Sequence, residues 1–226
     1  AETYVDLVAY LLQANGATAG GVELMGTTVA AIGTLATRQP ASTEVRAGGQ
    51  TRPQGRSRDE PAGLRVTGTV PSFRPVTDEM LRAPSPDDWL MIRGNYEAWS
   101  HSPLDAITRD NVQDLELAWT WSMGEGGWNA PSPIVHDGVM YVTNYGNVVQ
   151  ALDGRTGDLI WEHEVGAESR TYSGTSRNLA IYDDKVFLAT SDARMVALDA
   201  ASGEMLWTTR FGDTTQGHQS TSGPIV

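Results

Sequence analysis

The stretch ALDGRTGDLIW, residues 151–161, returns in altered form as ALDAASGEMLW at residues 197–207. Both copies fit the pattern Ala-x-Asp-x-x-(Thr/Ser)-Gly-x-x-x-Trp, and they begin 46 residues apart, at 151 and 197. The sequence before each copy repeats at the same spacing, since VMYV at 139–142 corresponds to KVFL at 185–188. A repeat of this length indicates an array of similar structural units, of which propeller blades are the usual case.

Each repeat predicts a small antiparallel sheet of short strands joined by tight turns. Thr156-Gly157 and Ser202-Gly203 suit hairpin turns, because glycine adopts positive φ at little cost. The predicted strands are 134–143, 147–152 and a third ending on Trp161, then 180–190, 193–198 and a third ending on Trp207.

The two tryptophans are predicted to hold neighbouring units together. A blade cannot bury both faces of its own sheet, so successive blades must stack. The indoles of Trp161 and Trp207 are expected to cover a turn of the next unit, and each indole N–H needs a carbonyl oxygen there. Inter-blade packing is therefore the predicted role of both residues.

Composition excludes several classes of function. The chain has 226 residues, a formal net charge of −12 and a pI of about 4.6, so it would repel a nucleic-acid backbone. It contains no cysteine, which rules out disulfides, thiolate metal sites and covalent haem attachment within this stretch. The first residue is not Met, and the last residues, 223–226, predict the start of another strand. We therefore expect a fragment of a longer protein.

The sequence before the repeats predicts one helix and a long linker. Residues 3–15, TYVDLVAYLLQAN, have apolar groups at helical spacing and are followed by a glycine stop. Residues 36–75 are rich in Arg, Gly, Pro, Ser and Thr and predict a linker, with structure resuming near residue 86. Residues 87–89 predict the cap of a helical turn, residues 108–112 a turn, and residues 115–121 a strand.

With the repeats and the lead-in SHSPLDAITRDNVQDLELAW (100–119), the chain resembles the pyrroloquinoline quinone (PQQ)-dependent alcohol dehydrogenases. The resemblance implies an all-β fold, a partial eight-bladed β-propeller with tryptophan-docking repeats, preceded by a short α-helix and a disordered linker. The lead-in is similar to the family segment whose strand closes the ring with the last blade.

A second resemblance concerns the beginning of the chain. DLVAYLLQANGATAG (6–20) resembles the last helix of a cytochrome c domain. The implied organisation is the end of a cytochrome c-like domain at 1–35, a linker at 36–85, and the first propeller blades at 86–226. A haem-attachment motif would precede residue 1, and Met25 is interpreted as a residue of the tail.

The resemblance implies part of a periplasmic dehydrogenase that oxidises an alcohol-type substrate with PQQ and passes electrons to a fused or separate cytochrome c. The catalytic Asp, the ligands of a Ca²⁺ or lanthanide ion, and haem c would belong to other parts of the protein. Such repeats also occur in non-enzymatic propellers. A non-catalytic binding or assembly scaffold therefore stays open as the alternative.

Four residues are predicted to bind the cofactor. PQQ is flat and carries three carboxylates, so its site needs cationic and hydroxyl donors. The resemblance assigns Arg177 to the quinone edge and Thr221 to a cofactor carboxylate, with Thr175 and Ser173 in the same loop as Arg177. The alternatives are a surface arginine in a loop and a Ser/Thr-rich turn before a strand.

Two departures from the family pattern stand beside these assignments. Ala130 occupies the position of a frequent family Glu, so either Asn129 substitutes or that contact is lost. Thr171-Tyr172 stands where many members carry a vicinal cysteine pair, so no disulfide ring can form there. The remaining polar candidates are predicted to be structural, namely Asp137, Asp153, Asp183, Asp199 and the histidines at 101, 136, 163 and 218.

Overall fold

The computed structural model describes residues 62–123, 130–166 and 177–226, all within the compact unit Gly49–Val226. The described elements, in chain order, are β1 (Gly63–Val66), α1 (Asp78–Arg82), a 3₁₀ turn (Val112–Asp114), β2 (Ile134–His136), β3 (Val139–Asn144), β4 (Val148–Asp153), β5 (Leu159–Glu164), β6 (Ala180–Tyr182), β7 (Lys185–Ala189), β8 (Arg194–Asp199), β9 (Met205–Arg210) and a second 3₁₀ turn (Thr214–Gln216). Within these ranges, no helix has the length and apolar character that crossing a membrane requires.

Each repeat forms one antiparallel four-stranded sheet, which we call a blade. The first blade has the strand order β2-β3-β4-β5, with β1 added beyond β5, and the second has the order β6-β7-β8-β9. The prediction of one long first strand in each repeat is wrong, because a hairpin divides that segment into two strands. Asp137 (φ 49°) and Asp183 (φ 54°) reverse the chain there, so each repeat has four strands rather than three.

A β-bulge aims the repeated tryptophan at the neighbouring blade. In the first blade, Ala151 pairs with Trp161 and Leu152 pairs with Leu159, so Ile160 is the extra residue. The second blade has the same irregularity before Trp207. A bulge of this kind redirects the side chain next to it. Strands β5 and β9 continue three residues beyond their tryptophans, to Glu164 and Arg210.

The seam between the blades is built around Trp161, which is fully buried. Its indole N–H donates to the Ala200 carbonyl oxygen over 3.1 Å, and the Tyr141 hydroxyl donates to the same oxygen over 3.1 Å. Burial raises the pKa of the Tyr141 phenol, so this group stays a donor at neutral pH. The indole ring lies on Gly203, where a Cβ atom would be 2.5 Å from a ring carbon.

A contact of the same kind joins the segment before the first blade to a turn of that blade. The Trp119 indole N–H donates to the Gly154 carbonyl oxygen over 3.1 Å, and its ring lies on Gly157. Trp207, by contrast, keeps 40 % of its surface exposed, and every residue of β9 is exposed. The strand predicted over residues 115–121 does not form in the described part of the chain, although the Trp121 indole N–H donates to Gln150 Oε1 over 3.2 Å.

The predicted linker over residues 36–85 is wrong where the structure describes it. Strand β1 pairs with β5, and the Arg65 guanidinium lies 3.1 Å from a Glu164 carboxylate oxygen. Val70 N–H donates to the Ala201 carbonyl oxygen over 2.8 Å, and Val76 pairs with Asp183. Residues 62–76 therefore run as a strap from the first blade to the second. Val70 and Val76 of the strap are buried, while Leu64, Val66 and Phe73 are half-buried. The prediction failed because the average composition of residues 36–75 is polar.

The other local predictions differ in outcome. The predicted turn at 108–112 is confirmed, since Asn111 Oδ1 accepts the Thr108 N–H over 2.6 Å. Residues 87–89 do not cap a helix. Instead Trp89 pairs with Val135, and Asp88 accepts the Asp137 N–H over 2.9 Å. The predicted helix at 3–15 lies outside the described residues.

Gly203 provides a test of the seam. A Gly203→Ala substitution places a methyl group against the Trp161 ring and requires a side chain at φ +74°. Overpacking and positive φ together are expected to reduce the free energy of unfolding by about 3 kcal/mol. Chemical denaturation measures the loss. In the control Gly146→Ala, φ is +85° and nothing lies within 4 Å, so only about 1 kcal/mol is expected. Equal losses would contradict the packing of Trp161 on Gly203.

His163 gives the seam a pH dependence. Its Nδ1 lies 2.7 Å from the Gly203 carbonyl oxygen and so carries the proton. Burial lowers the pKa of His163 from its ordinary value of 6.5. The unfolded chain then binds a proton more readily than the folded one. The resulting stabilisation is complete above pH 6.5 and is lost as the pH falls toward the lower folded pKa.

A His163→Asn substitution separates this effect from other titrations. The Asn amide nitrogen can still donate to Gly203, but it does not titrate. Urea unfolding from about pH 8 to about pH 5 is expected to show a smaller loss of stability in the variant than in the parent. The same slope in both proteins would contradict the assignment to His163.

Candidate functional site

The candidate site lies at the upper end of the blades, which we define as the end where β2 and β6 begin. Ser132, Asn178 and Pro224 are successive members of one repeat position, 46 residues apart. Ser132 and Asn178 form a parallel bridge, and the Ser132 N–H donates to the Arg177 carbonyl oxygen over 2.6 Å. The chain segments that lead into successive units therefore run side by side at this end.

Arg177 and Thr221 are brought together here. Arg177 Nη1 donates to the Thr221 backbone oxygen over 3.1 Å, and both residues are exposed. A guanidinium has five N–H donors, so this bond leaves four of them for another acceptor. The Thr221 hydroxyl is on the same exposed segment. The pair offers a guanidinium and, on the same exposed segment, a hydroxyl, which are groups that suit an anionic or quinone oxygen.

The other two predicted cofactor residues, Ser173 and Thr175, lie outside the described residues, as do Asn129 and Thr171-Tyr172. Thr175 precedes Thr221 by 46 positions and so occupies the same place in its repeat. Ala130 is described and exposed, and its methyl group neither donates nor accepts a hydrogen bond.

Asn178, the residue after Arg177, was not identified from the sequence as a candidate. Its side chain is buried, with Oδ1 accepting the Gly223 N–H over 2.7 Å and Nδ2 donating to the Pro224 carbonyl oxygen over 3.1 Å. Gly223 cannot carry a side chain, because a Cβ atom there would be 1.9 Å from the Asn178 carbonyl oxygen. The signal that could have identified Asn178 is its repeat relation to Ser132 and Pro224.

A second polar cluster lies at the lower end of the first blade, where β2 turns into β3. His136 Nδ1 is 3.4 Å from Asp88 Oδ2, and its Nε2 is 3.5 Å from Asp137 Oδ2. His136 Nε2 donates to the Arg74 carbonyl oxygen over 2.7 Å, while the Arg74 guanidinium binds both oxygens of Asp137. The side chains of Asp88, His136 and Asp137 are close enough to one another to ligate a single metal ion. The Arg74 guanidinium, however, already neutralises the Asp137 carboxylate. The cluster attaches the strap and the segment after it to the first hairpin.

The aspartates of the repeated motif hold turns, as predicted. Asp153 Oδ1 accepts the backbone N–H groups of Arg155 and Thr156, over 2.8 and 2.9 Å. Asp199 Oδ1 accepts the N–H of Ser202 over 2.7 Å and its hydroxyl over 2.8 Å. Their carboxylates are therefore engaged within their own turns, at the lower end of each blade.

Known proteins resemble this chain over the same region. The chain is 40 % identical over 136 residues to 1-butanol dehydrogenase (quinone) of Thauera butanivorans, covering 58 % of this chain and 22 % of that protein. It is 35 % identical over 116 residues to quinohemoprotein alcohol dehydrogenase of Comamonas testosteroni, covering 49 % and 16 %. The chain thus spans about a fifth of the length of the curated relatives it matches.

Solved structures agree in fold. A europium-containing methanol dehydrogenase superposes with a TM-score of 0.62 at 31 % identity, covering 66 % of this chain and 28 % of that one. The quinohemoprotein alcohol dehydrogenase of Comamonas testosteroni gives a TM-score of 0.56 at 32 % identity, covering 67 % and 24 %. The family model for PQQ, described as glucose/ethanol/alcohol dehydrogenase, beta-propeller domain, matches residues 89–218, more than half of the chain. The chain therefore belongs to the PQQ-dependent glucose/ethanol/alcohol dehydrogenase β-propeller family.

Proposed function

We propose that this chain is part of a PQQ-dependent dehydrogenase that oxidises an alcohol-type substrate and passes the electrons to a cytochrome c. The observation that carries the proposal is the pairing of Arg177 with Thr221 at the upper end of the blades. The names of the relatives, which include a 1-butanol dehydrogenase (quinone) and a quinohemoprotein alcohol dehydrogenase, support both the substrate class and the electron acceptor.

Arg177 and Thr221 would hold the cofactor, with Ser173 and Thr175 as further hydroxyl donors. When bound, PQQ supplies the acceptor for the two electrons removed from the alcohol. The role of the chain is to bind and orient it. The contact of Arg177 with the Thr221 carbonyl limits where its remaining N–H groups can point. A carboxylate or quinone oxygen placed there would receive charge-assisted hydrogen bonds.

The remaining machinery is proposed to lie in parts of the protein beyond this chain. These parts would supply the catalytic Asp, the ligands of a Ca²⁺ or lanthanide ion and the other blades of an eight-bladed ring. Residues 1–35 would end a fused cytochrome c domain that carries haem c, and a separate cytochrome c is the other possible acceptor. A periplasmic location belongs to the same proposal.

A non-catalytic scaffold is the second candidate. The observation in its favour is Ala130, which cannot make the contact expected of a Glu at that position. A scaffold would keep the packing of Trp161 but would have no use for the exposed charge of Arg177. Binding of PQQ therefore distinguishes the two candidates directly.

Removing the Arg177 charge is expected to weaken PQQ binding. An Arg177→Ala substitution in the full-length protein deletes charge-assisted hydrogen bonds, so the Kd for PQQ should rise about tenfold to a hundredfold. Fluorescence titration of the apoprotein measures it. The matched control is Arg155→Ala, an exposed arginine in a turn at the lower end, where no change in Kd is expected. Equal affinity in all three proteins would contradict the assignment of Arg177.

The substrate class is tested by the full-length protein reconstituted with PQQ and Ca²⁺ or a lanthanide. We expect primary alcohols to reduce an artificial dye in a PQQ-dependent manner, with rates that differ along an alcohol series. PQQ binding without dye reduction by any alcohol would contradict the proposed reaction while leaving the cofactor site in place. Absence of PQQ binding would favour the scaffold.

A further inference from the structure

We propose that Asn178 is a positioning residue that fixes the distance between the Arg177 guanidinium and the Thr221 hydroxyl. The inference rests on the proposed function, in which these two groups bind PQQ. Asn178 itself does not reach the exposed surface that a cofactor would occupy, since only 2 % of it is accessible. It acts through the backbone of the segment that carries Thr221.

The Asn178 amide forms a two-point lock on that segment. Its Oδ1 accepts the Gly223 N–H over 2.7 Å, and its Nδ2 donates to the Pro224 carbonyl oxygen over 3.1 Å. An amide is the side chain that offers a donor and an acceptor on one rigid plane. Because the group is buried, water cannot replace either partner without a rearrangement, and an unmade bond would leave a polar group unsatisfied.

The two hydrogen bonds of the Asn178 amide lie close in sequence to both groups that are proposed to bind PQQ. Arg177 is the residue before Asn178, and Thr221 is two residues before Gly223. Arg177 Nη1 adds a third bond across the gap, to the Thr221 carbonyl oxygen. On the other side, the Ser132 N–H holds the Arg177 carbonyl oxygen over 2.6 Å. The backbone under Arg177 is thus fixed from both neighbouring segments, and Asn178 provides two of the three bonds toward Thr221.

Among the described residues at this repeat position, only Asn178 makes such a two-point amide contact. The same repeat position holds Ser132 in the first blade and Pro224 after the second. Neither is an amide, and the Ser132 hydroxyl makes no hydrogen bond in the part of the chain that the structure describes. Repeat packing alone therefore does not require an asparagine here. The amide occurs where an arginine beside it has to be aligned with a hydroxyl on the next segment.

The test measures the Kd for PQQ of the full-length apoprotein and its variants. Asn178→Ala removes both bonds, and we expect PQQ affinity to fall about tenfold. Asn178→Asp has the same shape and keeps the acceptor for Gly223, but it loses the donor to Pro224. It serves as the second variant if the alanine protein does not fold. Ser132→Ala is the matched control at the equivalent repeat position, because it removes only the hydroxyl and keeps the backbone N–H that binds the Arg177 carbonyl oxygen, and its Kd should equal that of the parent.

A double-mutant cycle separates positioning from general loosening. With Arg177→Ala as background, Asn178→Ala should cost less than about a third of its effect in the parent, because the guanidinium that it aligns is gone. An unchanged effect in both backgrounds would overturn the inference, and so would an Asn178→Ala protein that binds PQQ as tightly as Ser132→Ala. In those two cases Arg177→Ala still weakens binding and the proposed function stands. A parent protein that does not bind PQQ overturns the proposed function and this inference together.

Discussion

The contact of one indole ring with one glycine organises this structure. Trp161 lies on Gly203 and donates to the Ala200 carbonyl oxygen, so a residue of the first blade fills the turn of the second. The bulge at Ile160 directs the Trp161 ring toward the second blade. The positive φ of Gly203 brings the turn backbone into contact with that ring. Trp119 and Gly157 repeat the arrangement one unit earlier. Each contact joins a tryptophan to the glycine turn of the unit that follows it in the chain.

The other end of the blades is joined by polar contacts. The tryptophan contacts are at the lower end, while Arg177 and Thr221 meet at the upper end, on segments that belong to successive units. The buried amide of Asn178 spans the same gap. Packing at one end and polar contacts at the other thus act on the same pair of sheets. The packing contacts thus lie at one end of the repeat, and the residues proposed to bind the cofactor lie at the other.

Much of the fold could be predicted from the sequence because the repeat unit encodes its own turns and docking residue. The motif placed the glycine turns and Trp161 correctly, since both depend on local spacing, while the packing of Trp207 on a further unit stays a prediction. Asp137 and Asp183 were expected in hairpin positions, but the predicted strands 134–143 and 180–190 ran through both hairpins, although Asp137-Gly138 and Asp183-Asp184 interrupt the apolar pattern there. The strap was missed because Val70 and Val76 have partners more than a hundred residues later in the chain. Asn178 likewise depends on atoms some 45 residues away.

Strand β1 has a consequence for how the chain folds. It pairs with β5 across roughly a hundred residues of sequence, from Gly63 to Glu164. Every other strand pair in the described blades joins neighbours along the chain, so those hairpins can form as soon as their residues meet. Closing the long loop costs more chain entropy than closing a hairpin. The hydrogen bonds between β1 and β5 offset this cost only once β5 has formed. We expect the edge of the first blade to be completed last, after the hairpins that it covers.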